Sequence, residues 1–418
     1  MNSFTQPEIT ADVTTLGVAE LIKQRLAGGD LAPLFNQILE RAKNPANAGA
    51  RMDLSLLLQF GKLRDDALMV QADALRTAQL YSVAGKADAH AVRILLLKSP
   101  GDLHANTPLE CILEHGNFAV QILYVDAGLP IPSQLLDYDL LFVALSESVA
   151  NRPILEELER LSPTWPRPFL NSPARILLLS REASCDVLAG APGIVMPRTL
   201  RVSREQLQRV ASAEVDAADV FGALPIIARP VDSHAGENLV RIENVSDLAV
   251  LLHGCAAAEF FIAAFVDYRS PDGLYRKYRI VLIEGRPFFC HMGISSHWIV
   301  HYPYEEMTLH ADRRQEEARV ALTFDDDFAV RHRAAFEAIH KGFQLDYMGL
   351  DCAETRNGEL VIFEVASAML VHAMDDPEIF PYKQPQMQKV FAAFFAMLYR
   401  KLGKQAGDTS LTGSLLLG

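Results

Sequence analysis

Apolar residues recur at the three- and four-residue spacing of amphipathic helices through residues 16–88. Val18, Leu21, Ile22 and Leu26 show this spacing, which places their side chains on one face of a helix. Glycines and a proline interrupt the pattern, so it predicts several short helices in succession. We assign residues 1–89 to a helical domain, either a repeat module or a bundle that only packs against the rest of the chain.

Continuous apolar runs replace this pattern from residue 92. Runs at 92–97, 120–125 and 140–145 are typical of strands that are buried on both faces. Helical segments at 108–114 and 154–161 alternate with them, and strands that alternate with helices predict a parallel sheet. We therefore assign residues 90–180 to a small α/β domain.

Strands and helices continue in a mixed order through the rest of the chain. The predicted strands are 225–230, 238–242, 260–266, 278–284 and 287–292, and the predicted helices are 203–213, 245–252, 313–342 and 387–402. The fold class expected for the whole chain is therefore α/β (α+β).

A hairpin near the C-terminus carries the most informative chemistry. Its two strands, 348–351 and 358–365, each hold one carboxylate, and thirteen positions separate Asp351 from Glu364 (364 − 351). Two carboxylates held side by side repel each other and favour a shared hard cation such as magnesium. The hairpin therefore predicts a magnesium site.

This hairpin resembles the metal-binding hairpin of the ATP-grasp ligases. The order of elements around it is similar to the same superfamily, and in particular to glutathione-synthetase-like carboxylate–amine ligases that follow tetratricopeptide-like helices. The resemblance implies an ATP-grasp fold of two α+β lobes, with a small lobe at 181–255, a large lobe at 256–405 and a flexible tail at 406–418. It also implies ATP and magnesium as cofactors, with Asp351 and Glu364 as metal ligands.

The resemblance assigns further residues to ATP. Arg181 and Arg229 stand where the family has lysines that contact phosphate, and arginine keeps the charge while offering a fork of donors. Phe265 and Val266 would hold adenine through backbone groups, and Asp267 would bind a ribose hydroxyl. The full set implied for ATP is Arg181, Arg229, Ser233, His234, Gly236, Phe265, Val266 and Asp267.

Three positions bear on the chemistry that the resemblance implies. Arg279 stands where the family's arginine neutralises the transferring phosphoryl group, so it is the implied catalytic residue. Lys277 stands where the glutathione-synthetase type has an acidic residue. Ala366 stands where the family usually has an asparagine that binds magnesium. Because alanine has no ligand atom, water, substrate or another side chain would have to complete the metal's coordination.

The implied function is ATP- and magnesium-dependent ligation, in which a carboxylate is activated as an acyl-phosphate and joined to an amine. The substrates would be small molecules or a peptide, and the candidate substrate-binding residues are His291, Ser296, His297 and His372. The alternative is a nonenzymatic or degenerate ATP-grasp protein that serves as a scaffold for a peptide or protein. Ala366 and the arginine replacements favour this alternative.

Composition narrows the range of partners and compartments. The formal net charge of −13 disfavours nonspecific binding to nucleic acid or to an anionic membrane, since both need a basic surface. No apolar run approaches the ~20 residues that cross a bilayer. Five dispersed cysteines are typical of reduced thiols. We therefore expect a cytoplasmic protein, with a homodimer as the default assembly.

Overall fold

A computed structural model describes residues 13–404 of the chain, except 86, 133, 134, 136, 232, 234, 235 and 237. The strands are β1 (Val13–Thr15), β2 (Leu80–Val83), β3 (Val92–Lys98), β4 (Phe118–Tyr124), β5 (Leu140–Val143), β6 (Phe169–Leu170), β7 (Ile194–Val195), β8 (Leu200–Ser203), β9 (Ile226–Pro230), β10 (Val240–Ile242), β11 (Glu259–Ala264), β12 (Tyr275–Ile283), β13 (Arg286–Ser295), β14 (Tyr347–Glu354) and β15 (Leu360–Ala366).

The helices interleave with these strands. They are α1 (Gly17–Leu26), α2 (Ala32–Ala42), α3 (Ala48–Phe60), α4 (Arg64–Thr77), α5 (Glu110–Leu113), α6 (Arg152–Leu161), α7 (Pro173–Ile176), α8 (Arg181–Val187), α9 (Arg204–Ala211), α10 (Ala217–Phe221), α11 (Val245–Gly254), α12 (Tyr304–Leu309), α13 (Ala311–Thr323), α14 (Phe328–Arg331), α15 (Arg333–Phe343) and α16 (Lys383–Lys401). This mixture confirms the predicted α/β class. None of the helices in the described ranges is long and apolar enough to cross a membrane.

The chain divides into two compact units. The first comprises the described residues up to Leu177, together with Leu345–Met348 and the described residues from Ala366. Its six-stranded sheet has the order β1-β2-β4-β3-β5-β6, in which β3 runs parallel to both β4 and β5. All but one residue of β3 is buried, as expected for a strand at the centre of a parallel sheet.

Two of the predicted domains, 1–89 and 256–405, do not coincide with the extent of this first unit. The predicted helical domain at 1–89 contains β1 and β2, and β2 pairs antiparallel with β4. Helices α1 to α4 therefore share a unit with the sheet, and their tetratricopeptide-like character stays a prediction. Helix α16 was assigned to the large lobe at 256–405 but belongs to the first unit, where its Phe395 ring lies 4.9 Å from that of Phe118.

The second unit comprises Leu178–Gln344 and Gly349–Val365. It contains an antiparallel sheet with the order β10-β9-β11-β8. Helices α9 and α11 supply Leu207 and Leu248 to the apolar core of this sheet. Helix α9 begins directly after β8 because Ser203 and Gln206 bond each other's backbone N–H in a capping box.

A second sheet in this unit has the order β13-β12-β14-β15-β7. Strands β12 and β13 form the long hairpin predicted from the sequence. The predicted carboxylate hairpin consists of the neighbouring strands β14 and β15. Because β12 is the other neighbour of β14, the sheet places Arg279 on the strand next to that of Asp351.

Candidate functional site

Asp351, on β14, is the most buried charged group of the site, with a side chain that is 5% exposed. Arg279 on β12 holds both of its carboxylate oxygens. Its Nε donates to Oδ1 at 2.9 Å and its Nη2 donates to Oδ2 at 3.0 Å. Two such bonds fix the orientation of the guanidinium as well as its charge. The predicted catalytic arginine and the predicted metal ligand therefore form an ion pair.

Lys277 adds a second cation to the same carboxylate. It precedes Arg279 by two positions on β12, so both side chains lie on one face of the strand. Its Nζ lies 2.6 Å from Oδ2 of Asp351. Burial by itself raises the pKa of Asp351, but Arg279 and Lys277 together outweigh it and hold that pKa well below its usual range. Asp351 is therefore a fully ionised group with cations on both oxygens.

Glu364, on β15, is in a more open position, with a side chain that is 43% exposed. Arg181, the first residue of α8, brings Nη2 to 3.4 Å from Oε1 of Glu364. Its Nη1 donates to the backbone carbonyl of Phe363 at 3.5 Å. These contacts are long, and partly exposed ion pairs of this kind contribute little to stability. The pair is therefore free to exchange its partners for a ligand.

Arg229, on β9, turns toward the loop that follows its strand. Its Nε donates to Oγ of Ser233 at 3.1 Å, and its Nη2 donates to the backbone carbonyl of the same residue. Burial and the nearby charge of Arg181 lower the pKa of Arg229 to about 10, while Glu364 acts in the opposite direction. The two arginines repel each other, and an anion bound by both would relieve that repulsion.

We refer to Arg181, Arg229, Lys277 and Arg279 as the cation cluster. The carboxylates that the described contacts and charges associate with it are Asp351 and Glu364, so positive groups outnumber negative ones by four to two. A partly buried site with surplus positive charge attracts anions, and arginine forks match the geometry of phosphate oxygens. The arrangement therefore suits a ligand that carries several phosphate groups.

His301 lies beside the cation cluster. Burial lowers the pKa of His301, and the cluster acts in the same direction more strongly than Asp351 opposes it. Gly236 packs against the ring: its φ is +69°, and a Cβ atom there would come within 2.4 Å of Nε2 of His301. Position 236 therefore requires glycine both for its backbone conformation and for space.

Phe265, which the sequence predicted to bind adenine through its backbone, makes contacts within the protein. Its backbone N–H donates to the carbonyl of Pro225 at 3.0 Å, so that group is already engaged. The guanidinium carbon of Arg241 lies 3.9 Å from the centre of the Phe265 ring, and the ring of Trp298 meets it edge-on at 5.5 Å. Val266 packs in an apolar cluster that includes Trp298. The Phe265 ring is therefore already in contact with the Arg241 guanidinium and the Trp298 ring.

The remaining predicted nucleotide residues have defined places or lie outside the described residues. Asp267 accepts from the backbone N–H and from Nη2 of Arg269 at 3.1 and 3.0 Å. Ser233 and Gly236 lie in the loop after β9, as the sequence predicted. His234 is among the residues that the structure does not describe. The assignment of these residues to ATP stays a prediction.

Three of the four candidate substrate-binding residues belong to the second unit and one belongs to the first. His291, on β13, lies opposite Arg279 in the strand register and is thus next to the cation cluster. Ser296 and His297 are exposed just beyond the end of β13. His372 belongs to the first unit, where its Nδ1 accepts from the backbone N–H of Met374 at 3.1 Å. Of the four, the strand register favours His291.

The predicted magnesium site fits these residues poorly. Both oxygens of Asp351 already bond to cations, and a divalent ion there would be repelled by Lys277 and Arg279. Ala366 supplies no ligand atom. Within the described ranges, no group of three or more His, Cys, Asp or Glu side chains is arranged to hold a metal ion. The donor set suits a phosphate ligand better than a magnesium ion.

Sequence reasoning did not give Lys277 a binding role, and it grouped His301 with residues of the acceptor pocket instead of with the phosphate-binding residues. A signal for Lys277 was present, because a basic residue two positions before Arg279 on a strand must share its face. No sequence pattern places His301 near Gly236, since the two are 65 positions apart (301 − 236) and meet only in the folded chain.

The fold and this site define an α/β protein with a cation-rich site beside a carboxylate hairpin. No protein-family model matches the sequence, and none of the curated proteins matches it. Solved structures of similar fold include the D-Ala:D-Ser ligase VanG from Enterococcus faecalis, with a TM-score of 0.46 and 12% identity over 73% of this chain and 100% of that chain.

Two further solved structures are similar to the chain at comparably low sequence identity. D-alanyl-alanine synthetase A from Vibrio cholerae has a TM-score of 0.45 and 12% identity over 75% of this chain and 99% of that chain. An ATP-grasp RimK domain protein from Sphaerobacter thermophilus has a TM-score of 0.40 and 17% identity over 74% of this chain and 99% of that chain. Likeness at this level is too distant to assign a family or an activity.

Proposed function

We propose that the second unit binds ATP at the cation cluster and uses it to activate a carboxylate, which is then joined to an amine. The observation that carries the proposal is the surplus of positive charge, four cations against two carboxylates. A ligand with several phosphate groups would neutralise that surplus. The resemblance of the hairpin and its surrounding strands to the ATP-grasp ligases supports ATP as that ligand.

The proposed reaction has two balanced steps. An oxygen of the substrate carboxylate attacks the terminal phosphorus of ATP, the bond from that phosphorus to the bridging oxygen breaks, and ADP leaves. The amine nitrogen then attacks the acyl carbon, inorganic phosphate leaves, and the nitrogen loses a proton. Both steps depend on positioning and charge neutralisation more than on a protein nucleophile.

The three arginines, Asp351 and the loop after β9 have distinct roles in this proposal. Arg181 and Arg229 hold the outer phosphates, since an anion between them removes their mutual repulsion. Arg279 faces the phosphoryl group in transfer, and Asp351 fixes its guanidinium plane. The loop around Gly236 would cover the phosphates and limit the access of water to the acyl-phosphate. The carboxylate and amine substrates, a small molecule or a peptide, are part of the proposal.

Calorimetric titration with ATP tests the binding step. We expect the unmodified chain to bind ATP and an Arg229→Met variant to bind it about tenfold or more weakly, the loss typical of one charge-assisted phosphate contact. Arg209→Met is the matched control, because Arg209 lies in the same unit on α9 with a 54% exposed side chain. Equal affinity in all three proteins, or no binding by the unmodified chain, contradicts the proposal.

Release of phosphate from ATP tests the chemical step. We expect addition of a suitable amino acid or peptide to stimulate release, and an Arg279→Met variant to lose that stimulation. The screen should offer free amino acids and short peptides as separate pools, since the site does not distinguish them. Stimulation that persists unchanged without Arg279 contradicts its assigned role.

A nonenzymatic scaffold is the second candidate, and two observations favour it. The oxygens of Asp351 are occupied by cations, and Ala366 lacks a ligand atom. In the first unit, a groove of about 500 Å³ between α2, α3 and α4 is lined by apolar side chains such as Leu39, Leu54 and Met69. A scaffold predicts ATP binding without stimulated phosphate release, and retention of peptide binding in a Glu364→Gln variant.

A further inference from the structure

Lys277 is one of the two cations that pair with the Asp351 carboxylate. Its ammonium group lies 2.6 Å from Oδ2, and its side chain is 20% exposed. Arg279 occupies the other side of the same carboxylate. The group formed by Asp351, Lys277 and Arg279 therefore has a net positive charge in the absence of a ligand.

A divalent cation bound to a carboxylate likewise offers positive charge to a phosphate ligand. It bridges a protein carboxylate to phosphate oxygens and neutralises part of their charge. An ammonium group bonded to a carboxylate also has hydrogen-bond donors left for a phosphate oxygen, since it carries three. The geometry thus allows Lys277 to bridge Asp351 and a phosphate in the way that a metal would.

The charge balance of the whole site points in the same direction. With four cations against two carboxylates, the site holds surplus positive charge on its own. A triphosphate without a bound metal is more negative than its magnesium complex, so it is the better electrostatic match. A metal brought along by the ligand would enter a site that is already positive.

We propose that Lys277, together with Arg279, replaces a divalent cation, so that this protein binds ATP as the metal-free triphosphate. This inference rests on the proposed function, because it specifies the form of ATP that the cation cluster takes. Asp351 then serves to hold the two cations in position. Lys277 is the binding residue that gives the site this preference.

The first test compares ATP binding by the unmodified full-length chain in excess EDTA and in excess magnesium, by calorimetry. We expect affinity in EDTA to equal or exceed that in magnesium. Binding that requires magnesium overturns the inference and leaves the proposed function in place. No binding under either condition overturns both.

The second test changes the charge at position 277. Lys277→Met should weaken ATP binding in EDTA by about tenfold or more, as expected for a lost charge-assisted contact. Lys341→Met is the matched control, because Lys341 lies exposed on α15 of the same unit, and it should leave the affinity unchanged. Equal affinities of the two variants in EDTA overturn the inference.

A charge reversal gives the sharpest result. Lys277→Glu places a second carboxylate beside Asp351 and should convert ATP binding from metal-independent to magnesium-dependent. Thermal denaturation of each variant without ligand checks that it folds. If Lys277→Glu folds and still binds ATP equally well in EDTA, the inference is wrong. If Lys277→Glu does not fold, the comparison of EDTA with magnesium on the unmodified chain still tests whether ATP binds without a metal.

Discussion

Two buried lysine–carboxylate pairs in this protein look alike locally but differ in their surroundings. In the first unit, Nζ of Lys98 lies 2.5 Å from Oε1 of Glu110, and the side chains are 7% and 3% exposed. In the second unit, Nζ of Lys277 lies 2.6 Å from Oδ2 of Asp351, and the exposures are 20% and 5%. The first pair is matched one to one, whereas the second shares its carboxylate with Arg279.

The two pairs differ in how their charges balance. The Lys98–Glu110 pair is neutral as a unit and almost closed to solvent, so its charges stabilise each other and nothing else. Asp351 is outnumbered by its cations, and the surplus is only tolerable because those cations reach solvent or an anion. Charge balance and the exposure of the lysine therefore both distinguish the Lys98–Glu110 pair from the candidate binding site.

The largest expected effect comes from breaking the closed pair. Glu110→Gln leaves the charge of Lys98 buried without a partner, and we expect the free energy of unfolding to fall by about 3–5 kcal/mol. Urea denaturation of the full chain, followed by circular dichroism, measures the change. The double variant Lys98→Met with Glu110→Gln should recover most of it, because no uncompensated charge then remains. A single variant as stable as the unmodified chain contradicts this interpretation.

A smaller loss is expected at the open pair. Asp351→Asn removes the carboxylate that holds Lys277 and Arg279, but both cation side chains are partly exposed, so we expect a loss of about 1–3 kcal/mol. Because the site becomes more positive, added pyrophosphate should raise the melting temperature of this variant more than that of the unmodified chain. The same measurement on Glu110→Gln is the control and should show no extra gain. An Asp351→Asn variant that is insensitive to pyrophosphate contradicts the role assigned to the cation cluster.

The smallest expected effect concerns protonation beside the cluster. The groups facing His301 are Lys277, Arg279, Arg229 and Asp351, and burial with the three cations lowers its pKa. In the protein without ligand, the unfolded chain holds the proton more tightly than the folded chain. The contribution of His301 to folding stability is therefore lost as pH falls from the ordinary value to the lowered pKa, and it is regained as pH rises back through the same window.

The affinity for ATP should depend on pH in the opposite direction to the folding stability. A bound polyanion stabilises protonated His301, so ATP affinity should rise as pH falls from about 8 to about 6. The His301→Gln variant should lose about two- to threefold of that rise, the size expected for one partly exposed charge near the ligand. Titrations of both proteins at each pH separate this contribution from protonation of ATP itself. Identical pH profiles contradict the placement of His301 beside the phosphates.

Much of this architecture was readable from local sequence. Continuous apolar runs at 92–97 and 140–145 marked strands buried in a parallel sheet, because such strands have no solvent-facing side. The carboxylate hairpin and the long hairpin before it were placed by the same means, since both have short turns between apolar strands. Arg181, Arg229 and Arg279 were singled out by resemblance in sequence order.

Tertiary structure decided which charges meet. Asp351 was expected to share a metal with Glu364, but strand order put β12 on its other side and brought Arg279 and Lys277 to its oxygens. The short strand β2 joined a distant partner, so the N-terminal helices share a unit with the sheet. Neighbours across a sheet are far apart in sequence, and no local pattern encodes them. Electrostatic partners depend on that pairing, and the proposal that the site takes anions rests on it.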